Sequence, residues 1–477
     1  MKDFWSRVEK YREFGLDPLK WVAGCAVKVD LTSVVYPALR QIKPILSKMG
    51  VTVNPREDAD IFRTPADGLH IERRIFNLNK PEVNSEDLQK IHPARAVSLV
   101  QVHQRKAESP EAFAKALLGI YNPIGLSEVS FTVGKGHSII TAYPDAEFAL
   151  FDFVRKFDKV TESWTLANND TIQVIDPTDD PGSEVQTFVA ASNSLNDLIA
   201  LGCFENLQIY PVLDAPTEEM SNRMIDHLKN FSNRHGIAFH DCSRLNMGKL
   251  LIGATVVGST TKELPTFTDA LESGMQILVS RGMGDLAPIN VYLSCLADDE
   301  YLKNLESKGF SLREVEKAKG EIIATMKQPN LPIGKIINRH CPSFGENYDP
   351  GRHIADTGDV SGPGIYIFKE MAELAKVNIL LEQIPVAYAE YVHFASANYL
   401  IDNATAGTNG AIAIVGSTEV VESVSKDLKR EGYKPEIIGK ILGKGQGKVY
   451  VPESVTEMIS SKAILSEFEV GKHEGTN

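Results

Sequence analysis

The sequence predicts an α/β protein of two lobes with mixed sheets and an inserted subdomain. Three observations lead there. Predicted strands and helices interleave through most of the chain. Its 477 residues exceed one ordinary core. Hydrophobic residues make up 43% and charged residues 24%, the balance of a packed globular protein.

The first predicted helix runs over 32–49. Thr32-Ser33 offers a cap, Val34, Val35, Ala38, Leu39, Ile42 and Leu46 line one face, and Gly50 stops it. With the loop before it, this makes an N-terminal unit, 1–53. Residues 54–127 are polar; only Ser109-Pro110-Glu111 reads as a helix start there. That stretch is assigned as the insertion.

A first lobe is predicted over 128–286. It holds strands Val129–Val133, Thr171–Ile175, Leu207–Leu213, Leu250–Val257 and Met275–Ser280. Between them lie helix Val185–Leu201 and helix Thr217–His235, the latter with a threonine cap and Gly236 at its end. A second lobe, 287–469, has helices at about 311–327, 364–375 and 418–431 and strands at 377–384 and 411–416. Residues 470–477 read as a tail.

Composition excludes several classes. The 50 basic and 63 acidic residues give a net charge of −13, which argues against nucleic-acid binding, since phosphate backbones need a basic face. No apolar run reaches the ~18 residues of a membrane span. The charged start, Met1 to Glu13, does not resemble a secretory signal. Five scattered cysteines form no CxxC pair, so a disulfide framework and a zinc ribbon are not indicated, and a reducing cytoplasm is expected.

Three motifs fail as phosphate or calcium sites. Gly443-Lys444-Gly445-Gln446-Gly447-Lys448 is one residue short of a P-loop and lacks the following hydroxyl, so it reads as a hairpin. Gly134-Lys135-Gly136-His137 reads as a turn beside a strand. Asp176-Pro177-Thr178-Asp179-Asp180 has Thr178 where a calcium loop places its second carboxylate.

Four segments carry chemistry when taken together. Cys25-Ala26-Val27-Lys28 sets a thiol three residues from a cation, which can lower its pKa, while a lysine near a helix start can hold phosphate. Taken alone, Cys25 also reads as a small buried hydrophobe. Asp176, Asp179 and Asp180 end a strand with hard oxygen ligands suited to Mg²⁺ on a polyphosphate, although acidic turns with proline are also common on solvated surfaces. Asn193 and Asp197 lie four apart on one helix face, where they could meet. Asp359, Gly362 and Gly364 precede a helix whose N–H groups could face phosphate; an ordinary Gly/Pro turn would explain the glycines but not Asp359.

In this order the segments resemble the aminoimidazole-ribonucleotide-synthetase superfamily, and most closely its selenophosphate synthetase branch. Cys25-Ala26-Val27-Lys28 is similar to the branch's Cys-Gly-Cys-Lys motif, with Ala26 and Val27 departing from it. Asn193-Ser194-Leu195-Asn196-Asp197 resembles Asn-Ala-Leu-Ser-Asp, Asp359-Val360-Ser361-Gly362-Pro363-Gly364 resembles Asp-Val-Thr-Gly-Phe-Gly, and Tyr433 to Gly439 resembles the closing strand. The Gly-Asp-Asp strand of the superfamily has no clean match, and its Gly-Gly-His loop is altered at Phe239 to Ser243.

The resemblance implies ATP- and Mg²⁺-dependent phosphorylation of a small nucleophile. Asp176, Asp359 and Asp179 would serve as metal ligands, with Asn193, Asp197, Gly362 and Gly364 at the nucleotide. Cys25 would carry sulfur or selenium, Lys28 would stabilise the transferring phosphoryl group, and the chain would form a homodimer. Two readings compete: an amide- or carbonyl-phosphorylating ATPase, and a nucleotide-binding regulatory protein without turnover.

Overall fold

The computed structural model describes residues 2–15, the strand segments 51–55, 129–134, 137–142, 149–150 and 153–158, and residues 163–471 apart from 173, 242–243 and 246–249, with isolated positions between 19 and 115. Cys25 and Lys28, and most of the predicted 32–49 helix and 54–127 insertion, lie outside these described residues. The chain begins with helix α1 (Lys2–Glu13). A four-stranded sheet follows, from β1 (Val51–Pro55), β2 (Val129–Gly134), β3 (His137–Ala142) and β4 (Ala149–Leu150). Gly134 pairs with His137 at the end of the antiparallel β2–β3 ladder.

The next sheet contains β5 (Phe153–Asp158), β6 (Ser163–Ile172), β7 (Glu205–Asp214), β8 (Ala238–Phe239), β9 (Arg244–Leu245) and β10 (Leu251–Thr260). Its order is β5-β6-β10-β7-β8, with β9 also on β7. Helices α2 (Glu184–Ala200) and α3 (Glu218–His235) accompany it. Strand alternation puts Trp164, Leu166, Asn168, Asp170 and Ile172 on one face of β6. Trp164 and Leu166 are buried with Leu195, Leu198 and Ile199 of α2. The small side chains of Ala190, Ala191 and Ser194 let α2 approach closely, and the Ser194 hydroxyl donates to the Asp170 carbonyl at 3.1 Å.

The third sheet contains β11 (Gln276–Val279), β12 (Asp356–Asp359), β13 (Val377–Leu381), β14 (Ile412–Gly416), β15 (Glu436–Lys444), β16 (Val449–Val451) and β17 (Glu469–Val470), in the order β12-β14-β11-β15-β13-β16-β17. Its helices are α4 (Leu286–Ala297), α5 (Asp299–Ser307), α6 (Leu312–Met326), α7 (Leu331–Arg339), α8 (Tyr366–Ala375), α9 (Ala389–Ala397), α10 (Thr418–Arg430) and α11 (Lys462–Leu465). None of the described helices is long and apolar enough to cross a membrane. Leu278, Ile412 and Ile414 of this sheet share a core with α2, β7 and β10, so the two large sheets are joined by apolar packing.

Three expectations change. The strand near 275–280 lies between β14 and β15 in the seven-stranded sheet and not beside β10 and β7, with Ile277, Leu278 and Val279 buried. The strand expected at 171–175 is the end of β6, which starts at Ser163 and stops at Ile172. Residues 445–448 are not a hairpin: β15 and β16 flank β13 and do not pair with each other. Asn378 of β13 organises that crossover by accepting from Gln446 N and Lys448 N.

Candidate functional site

The site forms where α2 meets the edge strand β12. Ser183 caps α2, accepting from Gln186 N, and Gln186 in turn clamps the preceding loop: its amide accepts from Ile175 N and donates to Asp176 O, both at 2.7 Å. Thr357 and Asp359 share one face of β12 by alternation. Thr357 Oγ1 donates to the Ala200 carbonyl at 2.6 Å, tying that face to the end of α2. Asp359 stands close enough to Asp197 and Asp170 to feel both charges.

Asn193 and Asp197 do not bond each other; each turns to the polar face of β6. Asn193 Nδ2 donates to an Asp170 carboxylate oxygen. Asn168 Nδ2 donates to Asp197 Oδ2 at 2.7 Å and to Ser194 O at 3.0 Å. Asp170 thus belongs to the candidate site, and the sequence reading missed it. Its signal was present: Asn168 and Asp170 put two polar residues on the side of a strand that otherwise faces an apolar helix.

Electrostatically the cluster is unfavourable without a cation. Burial raises the Asp359 pKa well above the carboxylate range, and the charges of Asp197 and Asp170 raise it further. Two bonds from Ser361 oppose this: its Oγ donates to Asp359 Oδ1 at 2.6 Å, and its N–H reaches the same oxygen at 3.2 Å. Arg281 lies within electrostatic reach of Asp359. Burial lowers its pKa, but the buried Asp285 outweighs that by binding both Nη atoms, at 2.7 and 2.6 Å.

Asp176 belongs to a different cluster. Its Oδ1 accepts from Thr178 N and Oγ1 at 2.9 and 2.6 Å, and its Oδ2 from Lys319 Nζ at 2.7 Å. Helix α1 docks on the same loop: Arg7 donates to Thr178 O, Tyr11 to Asp179 O at 3.0 Å, and Lys10 pairs with Asp180 at 3.5 Å. Asp179 turns its carboxylate onto Asp180 N at 2.8 Å. Among the described residues no group of three or more His, Cys, Asp or Glu side chains is gathered to hold a metal by itself. The expected trio of Asp176, Asp179 and Asp359 therefore does not form a protein-only cage, and Asp176 already has both oxygens engaged.

The glycines have a packing role. Gly364 has φ +61°, and a side chain there would overlap Thr405. The first N–H groups near α8 are turned inward: Ile365 N donates to Thr405 Oγ1 and Gly364 N to Val360 O, both at 3.1 Å. Gly362 accepts from Gly407 N at 3.2 Å. The described cysteines, 203, 295 and 341, are buried and reduced, and burial pushes their thiols up, Cys295 to about 11.

No family profile matches the chain. No curated protein matches it either. Among solved structures it is similar to the hydrogenase maturation protein HypE in complex with ATP, at 17% identity and a TM-score of 0.44, over 60% of this chain and 80% of that one. It is also similar to thiamine monophosphate kinase from Aquifex aeolicus, at 17% identity and a TM-score of 0.42, over 60% of this chain and 87% of that one. For thiamine-monophosphate kinase from Stenotrophomonas maltophilia K279a the values are 15% and 0.41, over 69% and 92%. The α/β fold rests on the mixed sheets themselves and the helices packed on them.

Proposed function

We propose that the chain binds ATP with Mg²⁺ at the α2–β12 junction and transfers a phosphoryl group to a small nucleophile. The observation that carries this reading is the convergence of Asp359 with Asp197 and Asp170, in which a buried carboxylate feels the charge of two others. Such a site favours a hard divalent ion. Mg²⁺ suits it because that ion is commonly held by one or two carboxylates together with substrate phosphates, without a full protein cage. Asp359 and Asp170 would hold it, with Asp197 beside them, and Mg²⁺ would there neutralise polyphosphate charge. Asn193 and Asn168 orient Asp170 and Asp197 through their amides.

For the acceptor, the sequence pair Cys25 and Lys28 supports sulfide or selenide, giving a thio- or selenophosphate. Val27 in place of a second cysteine favours sulfide, because one soft atom is absent. Lys28 would stabilise charge on the transferring group, and Cys25 would guard the bound sulfide or selenide without a covalent bond to it. A homodimer belongs to the same reading; light scattering at micromolar concentration should give twice the 52.5 kDa chain mass.

Calorimetry with Mg²⁺ and a non-hydrolysable ATP analogue tests the site. Binding should need Mg²⁺ and be lost in Asp359→Asn; metal-independent binding that survives this substitution would sink the proposal. Phosphate release with sulfide, with selenide and with no acceptor then tests the chemistry. Cys25→Ser should abolish acceptor-dependent turnover while sparing nucleotide binding, and Lys28→Ala should slow turnover by about 10²–10³. Wild-type turnover by Cys25→Ser with every chalcogen donor would replace this acceptor with an amide or carbonyl.

A further inference from the structure

The residue beside Asp197 departs from the motif that its segment resembles and stands outside the proposed ligand set, yet its side chain makes three hydrogen bonds. Asn196 is fully buried, as Asn330, Asn409 and Ser361 nearly are. Its Nδ2 donates to Asn409 Oδ1 at 2.6 Å and to Ser361 Oγ at 3.2 Å, and its Oδ1 accepts from Asn330 Nδ2 at 3.2 Å. Ser361 then donates its single hydroxyl proton to Asp359.

The neighbours fix the direction of this chain. Asn409 Nδ2 faces two carbonyls, Met326 O at 2.7 Å and Val189 O at 3.4 Å, so its oxygen must accept. The reversed Asn196 amide would gain Ser192 O at 3.2 Å and Gly410 N at 3.1 Å, but would set its oxygen against the Asn409 oxygen at 2.6 Å, the shortest contact of the three. Asn409 is itself immobilised: its N–H donates to Asp285 Oδ2 at 2.9 Å, and its carbonyl accepts from Arg281 Nη2 at 2.5 Å.

Two further features show the chain bent to this cluster. Asn330 occupies the N-cap position of α7, where an asparagine ordinarily bonds the first helical N–H groups, but it makes no capping bond and spends its amide on Asn196. Gly410 has φ +86°, and a side chain there would overlap the Asn330 amide.

We infer that Asn196 is a positioning residue: through Ser361 and Asn409 it locks α2 against β12 and sets the separation of Asp197 from Asp359. The inference rests on the magnesium–nucleotide reading above. In a titration of Mg²⁺ at a fixed concentration of a fluorescent non-hydrolysable ATP analogue, Asn196→Ala should raise the Mg²⁺ needed for half-saturation by about 10–100-fold, with nucleotide affinity recovered at saturating Mg²⁺. Ser361→Ala should do the same and Ser361→Thr, which keeps the hydroxyl, should restore it. A purely structural role would weaken nucleotide binding at every Mg²⁺ concentration, and that result, or an unchanged half-saturation, overturns the inference. If Asn196→Ala does not fold, Ser361→Ala, which removes one oxygen, decides the matter.

A second arm needs no nucleotide. In urea unfolding, Asn196→Ala and Asp359→Asn should couple by at least about threefold in the unfolding equilibrium constant; additivity overturns the relay. Wild-type protein that binds no magnesium nucleotide defeats the proposed function, and the relay then stands or falls on this cycle.

Discussion

Two acidic regions, the loop 176–180 and the cluster of Asp170, Asp197 and Asp359, are built in opposite ways. The loop 176–180 has cations brought to it: Lys319 on Asp176, Lys10 on Asp180, and Arg7 on the Thr178 carbonyl. The cluster of Asp170, Asp197 and Asp359 has amides and a hydroxyl brought to it, and the nearby guanidinium of Arg281 is committed to Asp285. Neutral donors orient carboxylates without cancelling their charge. Counting acidic residues therefore does not single out a candidate metal site; asking which groups are brought to them does.

The largest expected effect separates the two regions by function. Asp359→Asn should lower Mg²⁺-dependent turnover by about 10²–10³, whereas Asp176→Asn should change it less than about threefold once folded protein is selected. Steady-state assays on both variants check this, and equal losses would merge the two regions into one site.

Stability should show the reverse order. Lys319→Met leaves the Asp176 carboxylate buried without its cation, since their side chains are only 14% and 4% exposed in the native pair. A loss of about 3 kcal/mol in urea unfolding is expected for breaking a buried pair. Asp359→Asn should not destabilise, and should gain stability at neutral pH, because it removes a charge that burial and two neighbours already oppose.

A pH test follows from Asp356, three residues before Asp359 on the same strand, whose carboxyl burial pushes to about 8. From the ordinary carboxylate pKa, about 4, up to about 8, the folded chain holds a proton that the unfolded chain has released. Stability therefore falls as pH rises through that window, by at most about 1.4 kcal/mol per pH unit from this group. Thermal unfolding of Asp356→Asn should lose that slope, making the variant the more stable protein at pH 8.5 but not at pH 4. The smallest effect belongs to the docking of α1: Tyr11→Phe removes one hydrogen bond to Asp179 O and should cost about 1 kcal/mol.

Much of the fold was legible where local chemistry decides it. Thr217 and Gly236 do cap and stop α3, and the alternation of Val129 to Val133 does mark β2. Long-range partnering was not legible: the hydrophobic run of β11 fits either sheet equally well, and only pairing with β14 and β15 places it. The site was half legible. Asp359, Asn193 and Asp197 stand out by motif, but Asp170 lies inside a strand and its meaning comes from α2, more than twenty residues later. Asp176 was not legible in this way, because an acidic turn looks alike in sequence whether it awaits a metal or holds a lysine, as it does here with Lys319.

The position of β12 at the rim of the seven-stranded sheet has one more consequence. Four residues long, laddered with β14 and otherwise paired by a single bridge from Asp356 to Thr266, it can part from its neighbour without melting the β14-β11-β15 interior. The amides at its ladder with β14 should then report occupancy in hydrogen exchange, slowing when a ligand pins Asp359, while those of β11 stay silent.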